Sequence, residues 1–242
     1  MFELWFQQNL LEDKISIRVG QLAADSEFVI SDYAGLFING TFGWPAFVYM
    51  NLPEGGPGYP MGTLGTRLAL NPVDWFTFQA AAFQGNVFAQ DVNRHGFRWR
   101  LDAETGYTFL NEAQVRWNHR DDEMGLAGQF KAGAWMQTGS SADALGESTA
   151  SGNYGFYAIV DRMLFREPGE EKSAPGGLSK NAKPVVDGKG GKDFKSPVTY
   201  EKSEQGLGWF GRIAFAEANR NFVNFYFDTG LTHLLQFEKL KC

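Results

Sequence analysis

This sequence predicts an all-β fold of antiparallel, up-and-down strands, and three observations point there. Apolar and polar residues alternate with a period of two in about ten short segments, which is how strands with one apolar and one polar face read. Aromatic residues make up 15% of the chain and glycine supplies 29 of its 242 residues, a mixture that suits strands and tight turns better than helices. No window holds eighteen uninterrupted apolar residues, which argues against a transmembrane helix. The mean hydropathy of −0.30 does not separate a soluble sheet from a membrane barrel, because the alternating faces of a barrel cancel in the average.

Taken in order, residues 2–10 set Phe2, Leu4 and Phe6 against Glu3, Trp5 and Gln7. After a turn at 11–14, residues 15–23 set Ile15, Ile17 and Val19 against Ser16, Arg18 and Gly20. These two segments read as a hairpin. About forty residues rich in Gly, Pro and aromatics follow, at 24–65, and so long a connection rarely lacks a job; it reads as a loop folded inward. Residues 66–73 and 75–86 form a second hairpin across Asn71-Pro72-Val73-Asp74, with Leu68, Leu70, Phe76 and Phe78 on the apolar side and Arg67, Thr77 and Gln79 opposite.

A loop through Asn93-Arg94-His95-Gly96 leads to a predicted strand at 97–102, where Phe97, Trp99 and Leu101 alternate with Arg98, Arg100 and Asp102. Residues 107–117 place Glu112, Gln114 and Arg116 opposite Phe109, Ala113, Val115 and Trp117. The next strands are expected at 125–138 and 154–166, and the second carries Arg162 on its apolar side. Residues 168–205, with seven lysines, read as a flexible external loop. A last hairpin, 206–218 and 221–234, turns at Asn219-Arg220. If the tight connections at 11–14, 71–74, 103–104 and 219–220 share one end, the longer ones at 24–65, 87–96, 118–124 and 168–205 share the other.

Charge and motif content exclude several functions. A net charge of −6 and a pI near 5.2 give no basic stripe for nucleic acid. His95, His119 and His233 lack the paired spacing of a metal centre, and no Gly-x-Ser-x-Gly elbow occurs. Cys242 stands alone, so no internal disulfide forms. Neither an enzyme nor a cofactor is expected. The charged residues opposite the apolar stripes, Arg18, Arg67, Arg98, Arg100, Glu112, Arg116, Lys131, Arg212 and Asp228, are too costly to place in a dry core, so that face should be wet. Lipid and a packed core both satisfy the apolar face, and half-exposed antiparallel sheets show the same alternation.

Residues 20–60, GQLAADSEFVISDYAGLFINGTFGWPAFVYMNLPEGGPGYP, resemble the signature region of the carbohydrate-selective porins, the OprB-like family of outer-membrane proteins. Asn93-Arg94-His95-Gly96, Gly152-Asn153-Tyr154-Gly155, Asp161-Arg162-Met163-Leu164 and Arg220-Asn221-Phe222-Val223-Asn224-Phe225-Tyr226 follow in the family's order. The resemblance implies a transmembrane β-barrel of about sixteen strands, of which this chain offers about ten, with 24–65 as a constriction loop. It also implies passive, selective diffusion of small sugars such as glucose across the bacterial outer membrane. Small sugars and outer-membrane lipid are then the partners, nucleic acid is not, and a homo-oligomer and a monomer both stay open.

The expected pore-lining residues are Glu27 and Asp32 on the inward loop, Trp44 beside it, and Arg18, Arg67, Arg98, Arg100, Glu112 and Arg116 on the wall. Glu27 and Asp32 have a second reading as caps of a short helix across 26–38, and Trp44 a second reading as a packing anchor. The strand count, a start without a signal peptide and an end without a closing aromatic suggest a piece lacking both ends of the family's barrel. The alternative to a channel is a soluble or periplasmic β-rich sugar-binding protein.

Overall fold

The structure, a computed structural model, describes residues 2–85, 87–88, 91–101, 106–120, 123, 125–142, 149–167, 171–172, 199–200 and 205–234. The strands are β1 (Leu4–Leu10), β2 (Ile15–Leu22), β3 (Thr63–Val73), β4 (Phe76–Gln84), β5 (Tyr107–Trp117), β6 (Gly128–Ala142) and β7 (Thr149–Arg166). Two short strands, β8 (Glu171–Lys172) and β9 (Thr199–Tyr200), pair only with each other, and β10 (Gly206–Ala216) and β11 (Phe225–Leu234) complete the set. Nine of them make one sheet in the order β1-β2-β3-β4-β5-β6-β7-β10-β11. Every neighbouring pair is antiparallel, so the sheet is an up-and-down meander as the alternation predicts. Among the described residues, β1 and β11 are its edges.

The period-two pattern sorts the faces. On β7, Asn153, Gly155, Tyr157, Ile159 and Asp161 are buried, while Tyr154 and Phe156 between them are exposed. On β10, Phe210, Arg212 and Ala214 are buried and Ile213 and Phe215 exposed. The outward face is therefore the apolar one, since Phe6, Val19, Leu68, Phe130, Met136, Leu164, Phe225, Phe227 and Leu231 all stand open on it. A soluble sheet does the reverse and buries its apolar face.

Three expectations change. Residues 97–101 form no strand: Arg98 N–H donates to Asn93 Oδ1 at 2.9 Å and Arg100 N–H to Gln84 Oε1 at 2.8 Å. Side chains take the amides a ladder would use, and β4 pairs directly with β5 from Phe76↔Val115 to Gln84↔Tyr107. Losing that strand reverses the direction of everything after it. The tight turns at 11–14 and 74–75 thus share one end of the sheet with the end of β5, the start of β6, the end of β7 and the start of β10, while the segment 23–62, the end of β4, the start of β5, the end of β6, the start of β7 and residues 217–224 lie at the other. The loop expected at 139–153 is mostly ladder, paired through Ser140↔Ser151 and Ala142↔Thr149. Most of the flexible loop expected at 168–205, and the turn at 103–104, lie outside the described residues.

Candidate functional site

Residues 23–62 leave β2, cross the inward face and return to β3. No helix spans 26–38. Short 3-10 turns at Ala24–Ser26, Ala34–Leu36 and Pro53–Gly55 and single helical turns α1 (Gly40–Gly43) and α2 (Ala46–Tyr49) give the segment its bends. It adheres to the sheet partly through an apolar cluster in which Phe28, Val29, Phe47, Val48 and Leu52 meet Ala81, Phe83, Leu110, Trp135, Tyr157, Ile159 and Ala214. Phe47 packs edge-on to Trp135 with ring centroids 6.1 Å apart. Gly155 leaves the room this contact needs, because a Cβ there would sit 2.7 Å from both Phe47 Cζ and Trp135 Nε1.

The polar contacts to the strands are densest in a short run. Residues 27–32 receive side chains from seven successive strands, β2 to β7 and β10. The Glu27 carboxylate is paired with Arg18 Nη1 on β2 and Arg67 Nε on β3, and its backbone carbonyl accepts from Gln79 Nε2 on β4 at 2.6 Å. Val29 N–H donates to Glu112 Oε2 on β5 at 3.1 Å, and its carbonyl accepts from Arg212 Nη1 on β10 at 3.4 Å. Lys131 Nζ on β6 donates to Ile30 O at 2.7 Å, and Gln129 Nε2 to Asp32 Oδ2 at 2.7 Å. Ser31 Oγ and Asp32 N–H donate to the two oxygens of Asp161 on β7.

Each wall charge also has support from its neighbours. Arg67 Nη1 donates to Ser16 O and Oγ at 3.1 and 3.0 Å, and Arg18 holds Gln7 Oε1 while lying 4.0 Å above the Trp5 ring. Glu112 accepts further from Gln79, Gln114 and Tyr157 at 3.1, 2.7 and 2.9 Å. Arg212 pairs with Asp228 on β11, to which Tyr226 also donates at 2.6 Å, and reaches Thr41 O at 3.0 Å.

These partners correct the expectation of a wet face. Arg67 is only 6% exposed, Glu112 0%, Lys131 6% and Arg212 3%. Burial at these sites is tolerable because the segment supplies the compensating hydrogen bonds and opposite charges. Val29, a β-branched residue, holds φ at +61°. That conformation costs about 1–3 kcal/mol and is fixed by the bonds Val29 makes through both its N–H and its C=O.

The remaining expected site residues sit elsewhere. Trp44 donates from Nε1 to Gly55 O at 2.9 Å and packs against the apolar cluster, holding the segment's own fold. Arg98 and Arg100 lie on the irregular stretch after β4, with the Arg98 guanidinium 4.8 Å from the Phe88 ring. Arg116 is near the tight-turn end, donating to Thr77 Oγ1 at 2.6 Å beside a cleft of about 330 Å3. Asp32 is exposed and caps no helix; Glu27 follows the 3-10 turn Ala24–Ser26 as its C-cap, its N–H donating to Ala24 O at 3.1 Å while its carboxylate pairs with the wall arginines. Sequence reasoning did not place Gln79, Gln129, Lys131, Asp161, Arg212 or Asp228 at the site; their one shared signal is that each is an inward-facing polar residue on an alternating strand. Asp25, on the segment, has its carboxyl pushed up by burial, an effect partly offset by the N–H of Tyr59 2.7 Å away. No group of side chains able to hold a metal occurs among the described residues.

A meander with an apolar outer face, a charged inner face and a long segment bound across that inner face defines a porin-type wall. The sequence profile of the carbohydrate-selective porin family, OprB, matches residues 1–239, and the chain belongs to that family of outer-membrane proteins. Among solved structures, the high-pH structure of Pseudomonas putida OprB matches with a TM-score of 0.64 at 15% identity. The match covers 98% of this chain and 50% of the Pseudomonas putida chain, so this chain spans about half the length of that structure. No curated protein matches it.

Proposed function

We propose that this chain is part of the wall of a passive outer-membrane channel for small sugars such as glucose, with residues 24–65 as its constriction. The observation that carries this reading is the binding of residues 27–32 across seven strands of the charged face, which sets a fixed polar ledge where a passage would be narrowest. Selectivity then comes from the donors, acceptors and charges lining that ledge, which substitute for the hydration of a neutral solute. Arg18, Glu27 and Asp32 are the exposed or half-exposed members and are the residues we assign to solute contact. The chemistry is binding and release, with no bond made or broken.

The outward apolar face belongs against lipid. A barrel of antiparallel strands closes only with an even strand number. In the nine-stranded sheet, β1 and β11 run the same way, so closure calls for an odd number of further strands. The test is a liposome-swelling assay on the gene product that carries this chain. The expected result is faster swelling in glucose than in neutral or zwitterionic amino acids of similar size. Equal rates for both solutes overturn the selectivity. A folded protein that stays in solution without detergent and binds sugar overturns the channel itself.

A further inference from the structure

One row on the outward face breaks the apolar pattern. The cross-strand register aligns Trp117 of β5, Gly128 of β6, Arg162 of β7, Trp209 of β10 and Leu231 of β11, and directly opposed residues share a face. Trp117 is folded over Gly128, where a Cβ would meet its ring at 2.5 Å, and the ring reaches the Arg162 guanidinium at 5.7 Å from its centroid. Trp209 is the β10 residue opposite Arg162, and its ring is turned towards β11, over Gly211, with Nε1 donating to Thr229 Oγ1 at 2.8 Å. The neighbours of Arg162 along its own stripe are Val160 and Leu164. Among the described residues, the guanidinium has the Trp117 ring and no hydrogen-bond or ion-pair partner. Arg212, on the inward face, has all three nitrogens engaged.

The row lies level with the end of the sheet that carries the tight turns, because Trp117 is the last residue of β5 and Gly128 the first of β6. Trp75, exposed in the 74–75 turn, lies at the same end. Indole rings gather where acyl chains meet headgroups, and an arginine there extends its charge towards the phosphates while its stem stays in the apolar layer. An unpaired guanidinium against one indole, in a row that carries a second, is built for a phosphate oxyanion.

We propose that Arg162, in a row with Trp117 and Trp209, binds the phosphate of an anionic glycerophospholipid. The long segment 23–62 enters from the opposite end, and the turns 11–14 and 74–75 at this end are tight, whereas the β7–β10 connection here is long. With short turns facing the periplasm in outer-membrane barrels, we take the two tight turns to mark the periplasmic side, so the lipid belongs to the inner leaflet. The proposal rests on the reading that the apolar face meets lipid, and it adds a specific headgroup site to a surface that otherwise needs only acyl chains.

The test titrates the detergent-purified gene product with phosphatidylglycerol, phosphatidylcholine and lipid A, counting adducts by native mass spectrometry. The expected result is a phosphatidylglycerol adduct that weakens about fivefold in Arg162→Gln and is kept in Arg162→Lys. Arg162→Met, which keeps the apolar stem, stands in should Arg162→Gln fail to fold. Equal phosphatidylglycerol adducts in wild type and the neutral variant overturn the site, and preference for lipid A overturns the assignment of the lipid. Phospholipids with brominated acyl chains, reconstituted with the wild type, separate the two levels. Absence of tryptophan quenching refutes the lipid-facing surface, whereas quenching with unchanged adducts refutes the Arg162 site alone.

Discussion

Replacing Glu27 by glutamine removes the one carboxylate shared by Arg18 and Arg67 and leaves the backbone contacts of residues 27–32 in place. The two arginines differ in what remains to them. Arg18 is half-buried and keeps Gln7 and the face of Trp5. Arg67 is buried and keeps only the two oxygens of Ser16. Removing one partner of a buried pair costs about 3–5 kcal/mol, because the other charge stays behind uncompensated. The surviving Ser16 bonds and the exposure of Arg18 put Glu27→Gln at the low end, about 3 kcal/mol. Glu27→Gln with Arg67→Gln should cost less than the sum of the single changes, since the buried charge is no longer stranded and only the half-buried Arg18 loses its carboxylate. Urea unfolding in lipid vesicles, followed by tryptophan fluorescence, measures all three. A Glu27→Gln protein within about 0.5 kcal/mol of wild type, the range of inconsequential surface changes, would refute the claim that this carboxylate holds the segment.

Other outcomes follow from the same contacts. Glu112→Ala strands Gln79, Gln114, Tyr157 and the Val29 N–H together and should cost about 3 kcal/mol or more. Tyr157→Phe, which leaves Glu112 three donors, should cost about 1 kcal/mol by the same unfolding assay. Gly155→Ala pushes a methyl into Phe47 and Trp135; it should cost about 1–3 kcal/mol and speed proteolysis within residues 23–62 before the strands are cut. Asp25 has its folded-state pKa raised by burial, so folding favours its neutral form and the charged form weighs against stability above that pKa. Asp25→Asn should therefore raise the melting temperature at pH 8, with the gain shrinking as pH falls through the raised pKa and vanishing below the ordinary carboxylate value. A gain that grows on acidification contradicts the assignment.

The alternation carried most of the fold because a strand's period of two is written locally. Arg67, Thr77 and Gln79 were placed on the right face with no knowledge of their partners. Alternation misled at 97–102, where Phe97, Trp99 and Leu101 have the period of a strand but the amides of Arg98 and Arg100 are held by Asn93 and Gln84. A side chain competing for the backbone leaves no trace in hydropathy. That one strand also set the direction of every later strand, so its loss moved the end of β5 and the end of β7 to the other end of the sheet. At the site, Glu27 and Arg67 were legible as charges of opposite sign on the loop and on the wall. Ser31 with Asp161 and Arg212 with the Val29 carbonyl were not, because those partners are 130 and 183 residues apart and meet only through the register of the strands between them. Charge on the inward face suggested water, and the structure answers with a covering segment that supplies the partners water would have supplied.

If residues 27–32, held by wall charges, narrow a sugar-conducting passage as proposed, loosening them should widen it. Single-channel conductance of the gene product in planar bilayers, with glucose titrated as a blocker, tests it most directly when wild type is set beside Glu27→Gln. The account predicts a larger and noisier conductance and weaker glucose block in the variant, because the ledge is released on its β2 and β3 side. Conductance steps and glucose block that are the same in both proteins would contradict it.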